Sequence, residues 1–128
     1  MPVNKDAPVL IVDDYKTMLR IVRNLLVELG FTQIDEATDG LAALARLETK
    51  SYQLVLSDWN MEPMTGLELL KRVRAQDHTK NIPVIMITAE TKAENIVAAK
   101  QAGVNNYIVK PFTAAVLKSK LTAVFGEF

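Results

Sequence analysis

The chain divides into two kinds of segment by where its apolar residues fall. Five short runs, Val9–Val12, Gln33–Ala37, Leu54–Ser57, Val84–Thr88 and Tyr107–Val109, are predicted as strands. Three of them contain VLIV, LVL and VIMI, apolar throughout as in strands covered on both faces. The run QIDEA is more polar, which suits the edge of a sheet. Between the runs, apolar residues recur every three or four positions and predict five helices. Leu19, Val22, Leu26 and Leu29 mark the first, which stops at Gly30, a residue that tolerates a left-handed cap. Leu41, Leu44 and Leu47 mark the second, behind an N-cap at Asp39. Leu67, Leu70 and Val73 mark the third, entered through Thr65 and Glu68 at capping-box spacing. Thr91 and Glu94 have the same spacing and open the fourth, which ends near Gly103. Leu117, Leu121 and Val124 mark the fifth, behind Thr113. Strands alternating with helices point to an α/β sheet with helices on both faces and right-handed crossovers.

Composition narrows the class. The 128 residues suit a single domain, 1–128, with one substantial core, and no linker or repeat divides them. A hydrophobic content of 49% excludes a disordered chain. Fifteen basic and fifteen acidic side chains cancel, leaving no basic footprint for nucleic acid or an anionic membrane. The absence of cysteine removes disulfides and thiolate metal sites and fits a reducing compartment. Met1 to Ala7 lack the apolar core of a secretion signal, and no apolar run approaches ~20 residues. A soluble cytoplasmic protein is expected, with neither nucleic acid nor membrane as a partner.

Ligands of open parallel sheets bind beyond the C-terminal ends of the strands, so those ends carry the functional information. The first strand ends in Asp13-Asp14, the third in Asp58, the fourth in Thr88-Ala89 and the fifth in Lys110-Pro111. Taken singly, each has a bland reading. Asp13 or Asp14 caps the first helix, Asp58 forms a turn, and Lys110 sits in an exposed loop. Taken together on one rim, they combine three carboxylates, a hydroxyl and an ammonium. Mutual repulsion of the carboxylates is relieved by a divalent cation, and hard oxygen donors favour magnesium. Lys110 offers a point charge for an anion. Such a site suits phosphoryl transfer, and a carboxylate can itself be the nucleophile.

With these residues in view, the whole chain resembles a receiver domain of the two-component response regulators. The resemblance is carried by DD at Asp13-Asp14, SDWNM at Ser57 to Met61, TA at Thr88-Ala89 and YIVKPF at Tyr107 to Phe112. DWNM, the Glu90 after TA and the Y-x-x-KPF ending are most like the single-domain chemotaxis regulators. Those proteins have a flavodoxin-like, doubly wound five-stranded parallel sheet of order 2-1-3-4-5 flanked by five helices, and kinship implies it here. The resemblance implies that Asp58 accepts a phosphoryl group from a histidine kinase. It implies that Asp14, Asp58 and the Asn60 backbone carbonyl ligate Mg2+, with Asp13 acting through a metal-bound water. It gives Thr88 and Lys110 to the phosphoryl oxygens, Asn60 and Glu90 to the control of dephosphorylation, and Tyr107 to an inward turn when Thr88 moves. The Lys110-Pro111 bond is often cis in the family. With no output domain following, the signal leaves by binding another protein, such as a flagellar motor switch or a phosphotransfer protein. Lys92, Lys100, Lys118 and Lys120 are assigned to or near the altered face.

Two departures stand out. Glu62 occupies the place where the family usually has proline, and Pro63 follows, biasing Glu62 to extended backbone and the loop to a different path. Thr65 replaces a usual Asp or Asn and can still cap the third helix. Trp59 is assigned to packing beside the acceptor, His78 to solvent, and Met18, Met64 and Met86 to the core. Other functions fit less well. A haloacid-dehalogenase-type phosphatase needs D-x-D after the first strand, where this chain has Asp13-Asp14-Tyr15. A flavin- or nucleotide-binding module needs amides or hydroxyls there, not two acids. A phosphorelay shuttle or kinase-binding regulator is the nearest rival to the chemotaxis reading.

Overall fold

The computed structural model describes residues 3–89 and 92–126. The predicted cap Thr91 and the predicted tuning residue Glu90 therefore lie outside the described residues. Five strands, β1 (Val9–Val12), β2 (Ile34–Ala37), β3 (Leu54–Asp58), β4 (Val84–Thr88) and β5 (Asn106–Val109), alternate with five helices. The helices are α1 (Lys16–Glu28), α2 (Gly40–Thr49), α3 (Gly66–Ala75), α4 (Ala93–Gln101) and α5 (Ala114–Phe125). All neighbouring strands run parallel, in the order β2-β1-β3-β4-β5. The polar β2 stands at an edge, as its composition suggested. Its charges are used locally. Arg23 pairs with Glu36 at 2.5 Å, and Asp35 accepts from Tyr52 at 2.6 Å and Lys50 at 2.9 Å.

The period of two along each strand sorts the core into two layers. Val9, Ile11, Leu54, Leu56, Ile85, Ile87 and Ile108 pack on one face against Leu19, Val22 and Leu26 of α1 and Leu117 and Leu121 of α5. Leu10, Val12, Val55, Val84 and Met86 pack on the other against Ala43 and Leu47 of α2 and Leu69, Leu70 and Val73 of α3. The continuously apolar runs are thus explained, since both of their faces are covered.

Several boundaries and faces differ from the sequence reading. The strand at QIDEA starts at Ile34; the Gln33 carbonyl accepts from the Val9 amide at 2.9 Å, and its side-chain amide donates to the Asp6 carbonyl. β3 runs on to include Asp58, and β5 starts at Asn106. Leu41 is 57% exposed, and α2 buries Gly40, Ala43 and Leu47 instead. The small Gly40 and Ala43 let this helix lie close to its neighbours, and Met64 fills the space above Gly40. Asp39 and Thr113 cap α2 and α5 as expected, accepting from Ala42 and Val116. Thr65 makes the forward half of its capping box, accepting from the Glu68 amide at 3.2 Å. The N-cap position of α4 falls on Lys92, which makes no side-chain cap bond. Gly30 closes α1 at φ +102°, a conformation that a Cβ would strain.

Apolar spacing carries no hint of Arg74. Its guanidinium donates to the carbonyls of Gly103, Lys80 and Ile82 and to Oδ1 of Asn105, at 2.6 to 3.1 Å. Asn105 Oδ1 in turn accepts from the Val84 amide at 2.8 Å. One side chain thereby ties the end of α3 to the start of β4 and to the turn before β5. Burial pushes the guanidinium pKa down, and its carbonyl partners justify the charge there.

Candidate functional site

Register brings the acids together. Val12 pairs with Ser57, so the next residues, Asp13 and Asp58, emerge side by side at the end of the two central strands. Asp58 pairs with Ile87, which sets Thr88 one step further along the same rim. Thr88 pairs with Val109, and Lys110 follows, its amide donating to the Thr88 carbonyl at 2.9 Å. Carboxylate oxygens of Asp13, Asp14 and Asp58 lie within 4.8 Å of one another. Asp13 and Asp58 are buried and Asp14 is exposed.

Lys110 reaches into this cluster from β5. Its Nζ stands 2.8 Å from Asp58 Oδ1 and 3.7 Å from Asp13 Oδ2. One ammonium faces three carboxylates. Burial pushes the Asp13 pKa up. The Tyr15 amide, donating to Oδ1 at 3.0 Å, and Lys110 oppose that push, while the charges of Asp58 and Asp14 reinforce it. The helix-cap reading of these acids does not hold. The N-cap position of α1 belongs to Tyr15, which makes no side-chain cap bond, so Asp14 is left for the rim. The donor set is three hard carboxylates with one open side, which fits a small, partly hydrated divalent cation such as Mg2+.

The β3–α3 loop forms the wall of an open cleft of about 850 Å3, lined by Asp14, Asn60, Met61, Glu62, Pro63 and Thr65. Glu62 is exposed there and adds a fourth carboxylate to the mouth. Lys110-Pro111 is cis, as the resemblance implied, and Glu62-Pro63 is cis as well, which the sequence reading had not assigned. The loop is anchored by a close approach. A Cβ on Gly66 would lie 2.2 Å from the Asp58 carbonyl oxygen, and the Gly66 amide donates to the Trp59 carbonyl at 2.9 Å. Only glycine lets α3 start this near Asp58. Ser57, fully buried, donates from Oγ to the same Asp58 carbonyl at 3.0 Å.

Beside the rim, Trp59, Met86, Thr88, Ile96, Ala99 and Tyr107 border an apolar recess of about 10 Å3, room for little more than one water. Tyr107 is half-buried, and the Lys120 ammonium lies 5.1 Å from its ring centroid. Ala89 is exposed. His78 is at the surface as expected, 3.3 Å from Glu48. Met18 packs at the margin of one core layer, and Met64 and Met86 lie within the other.

Fold and rim together define an aspartate-centred receiver, and the matches to known proteins agree. A model of the response regulator receiver domain covers residues 9–122, and the chain belongs to that family. Within it, the chain is similar to the chemotaxis protein CheY-3 of Vibrio cholerae, 57% identical over 95% of this chain and 94% of that one. It is also similar to the chemotaxis protein CheY of Pseudomonas aeruginosa, 53% identical over 91% of this chain and 94% of that one. Among solved structures, the chemotaxis protein CheY4 of V. cholerae superposes with a TM-score of 0.87 at 36% identity, covering 93% of this chain and 98% of that one. A receiver domain of a P. aeruginosa sensor histidine kinase superposes at 0.85 with 27% identity, over 95% of this chain and 99% of that one, and was solved with a magnesium ion in its active-site cleft. The chain is a CheY-like receiver, a signalling module rather than a classical enzyme. Among the described residues, no helix is long and apolar enough to cross a membrane.

Proposed function

We propose that this chain is a phosphorylation-dependent switch of a chemotaxis pathway, acting in the cytoplasm. Asp58 is the acceptor. One of its carboxylate oxygens attacks the phosphorus of a phosphohistidine on a kinase, and the bond to the imidazole nitrogen breaks with its electron pair. The observation that carries this reading is Lys110 Nζ at 2.8 Å from Asp58 within a cluster of three carboxylates. Asp13, Asp14, Asp58 and the Asn60 carbonyl would hold Mg2+, which when bound neutralises charge on the transferring group. Lys110 stays beside Asp58 to pair with the phosphoryl oxygens. Thr88 donates to a phosphoryl oxygen by moving towards it. Space vacated by Thr88 admits Tyr107 to the adjoining recess, since about 10 Å3 does not hold a phenol ring beforehand. The face made by α4, β5 and α5 then changes for a downstream protein. The similarity to chemotaxis regulators favours a motor-switch target over a phosphotransfer partner.

Incubation with Mg2+ and acetyl phosphate tests the chemistry. Intact mass is expected to rise by one phosphoryl group, with a change in Trp59 fluorescence, and Asp58→Asn is expected to stay unmodified. Equal labelling of both proteins would sink the Asp58 assignment.

A further inference from the structure

The inference concerns what holds Tyr107 where it is, and it rests on the switch reading above, which supplies a second place for the ring. In the structure its ring is half-buried at the rim of the recess, with the Lys120 ammonium 5.1 Å from its centroid. That distance is within the range in which a cation is drawn to the negative face of an aromatic ring. The other place is the recess bordered by Trp59, Met86, Thr88 and Ala99, too small for the ring as it stands.

Lys120 is itself well placed to act on the ring. It sits on α5, which is fixed to the sheet by the buried Leu117 and Leu121. Its backbone carbonyl accepts from Asn106 Nδ2 at 3.3 Å, so its turn of helix is tied to the residue before Tyr107. The Tyr107 amide accepts its own restraint from the same residue, donating to Asn106 Oδ1 at 2.9 Å. Backbone position is set by the pairing of Tyr107 with Met86 in the sheet and by Asn106, while the ring packs at the margin of the core and takes the Lys120 ammonium as its polar contact. Among the described residues, Lys120 makes no ion pair of 4 Å or less with an acid, so its charge is not spent on a carboxylate.

We propose that Lys120 is a positioning residue that latches Tyr107 in its outer place through the cation–ring contact. Removing the charge loosens the ring from that place without any phosphoryl group, and the ring turns inward in the minor fraction of molecules in which Thr88 has already moved. A contact of this kind at a partly exposed site changes a two-state ratio about two- to five-fold. Charge loss at Lys120 therefore reproduces a small part of the activated state, and a partner group that captured this ammonium would do the same.

The test uses unphosphorylated protein and reads the Tyr107 ring by NMR, with Trp59 fluorescence as a second report from the recess wall. Lys120→Met is expected to raise the inner population about two- to five-fold. Lys120→Arg keeps a cation over the ring and is expected to match wild type. The same Lys120→Met shift is expected in a Tyr107→Phe background, because the ring face and not the hydroxyl carries the contact. Ring signals unchanged in Lys120→Met would overturn the proposal. Equal shifts in the Met and Arg variants would overturn it too, since chain packing and not charge would then hold the ring. Failure of Asp58 to take a phosphoryl group is a separate result. It removes the switch reading and leaves this measurement, made without phosphorylation, to be judged by itself.

Discussion

Replacing Gly66 with alanine drives the start of α3 into the end of β3. The new Cβ would lie 2.2 Å from the Asp58 carbonyl oxygen, against 3.4 Å or more for an ordinary contact, and 3.0 Å from both Trp59 Cα and Met86 Sδ. The carbonyl cannot easily yield, because the buried Ser57 hydroxyl holds it at 3.0 Å and Asp58 is itself part of β3. Helix and strand must separate by about 1 Å, and close-packed interiors charge about 1–3 kcal/mol for such overpacking. Weakening the Gly66-to-Trp59 hydrogen bond adds about 1 kcal/mol. Alanine recovers about 0.4–1 kcal/mol through the unfolded chain. The net loss is about 1–3.5 kcal/mol, which lowers Tm by roughly 4–14 °C in a chain of this size. Urea denaturation followed by circular dichroism measures it as a lower midpoint at unchanged slope. Gly40→Ala is the control. Its Cβ meets the Met64 side chain, with Sδ at 2.7 Å and Cβ at 2.9 Å; the thioether can swing away and the Met64 Cβ must give by a few tenths of an ångström, so a smaller loss than at Gly66 is expected. A loss at Gly66 below about 0.5 kcal/mol, or one no larger than at Gly40, would refute the close-approach reasoning.

Arg74→Ala is expected to cost about 2–4 kcal/mol and Arg74→Lys about 1–2 kcal/mol, because an ammonium cannot serve Gly103, Ile82 and Asn105 at once; a lysine variant with wild-type urea midpoint would contradict the clamp. Burial and the bond to Asp35 push the Tyr52 phenol up to about 12, and that bond, with Lys50, holds Asp35 below its usual 3.8. The sign follows for each. The tyrosine's contribution is complete below pH 10 and fades as pH rises through about 12, and the aspartate's is complete above pH 3.8 and fades in acid below it. Tyr52→Phe should remove the alkaline loss, and phenolate absorbance should locate its midpoint near 12 in wild type. Glu62→Gln removes one charge from the cleft mouth shared with Asp14. An exposed charge there acts through a water-like dielectric, so its removal should weaken Mg2+ binding by no more than about two- to five-fold at low salt, less at high salt. Trp59 fluorescence titrations read this directly, and equal affinities would show that Glu62 exerts no field on the site.

Much of the architecture was legible because it is local. Strand and helix follow from apolar spacing, and caps at Asp39, Thr65 and Thr113 follow from short polar side chains that satisfy free amides nearby. The acids at the strand ends could be named for the same reason, since a strand's end is visible where its apolar run stops. Leu41 misled because an apolar residue at helical spacing says nothing of what lies opposite. Strand order came from kinship and not from any residue.

By itself, then, the sequence determined the five strands, most of the five helix faces and the residues available for chemistry. Only the tertiary structure decided that they meet. Asp58 and Lys110 are 52 residues apart in sequence and 2.8 Å apart in space. That contact depends on the register of β3 and β5 on either side of β4, which no local pattern encodes. The same holds for the approach of Gly66 to Asp58, the reach of Arg74 across two turns and the seat of Lys120 over Tyr107. Each is set by how close two packed elements come, a quantity belonging to the whole core rather than to any one stretch of chain.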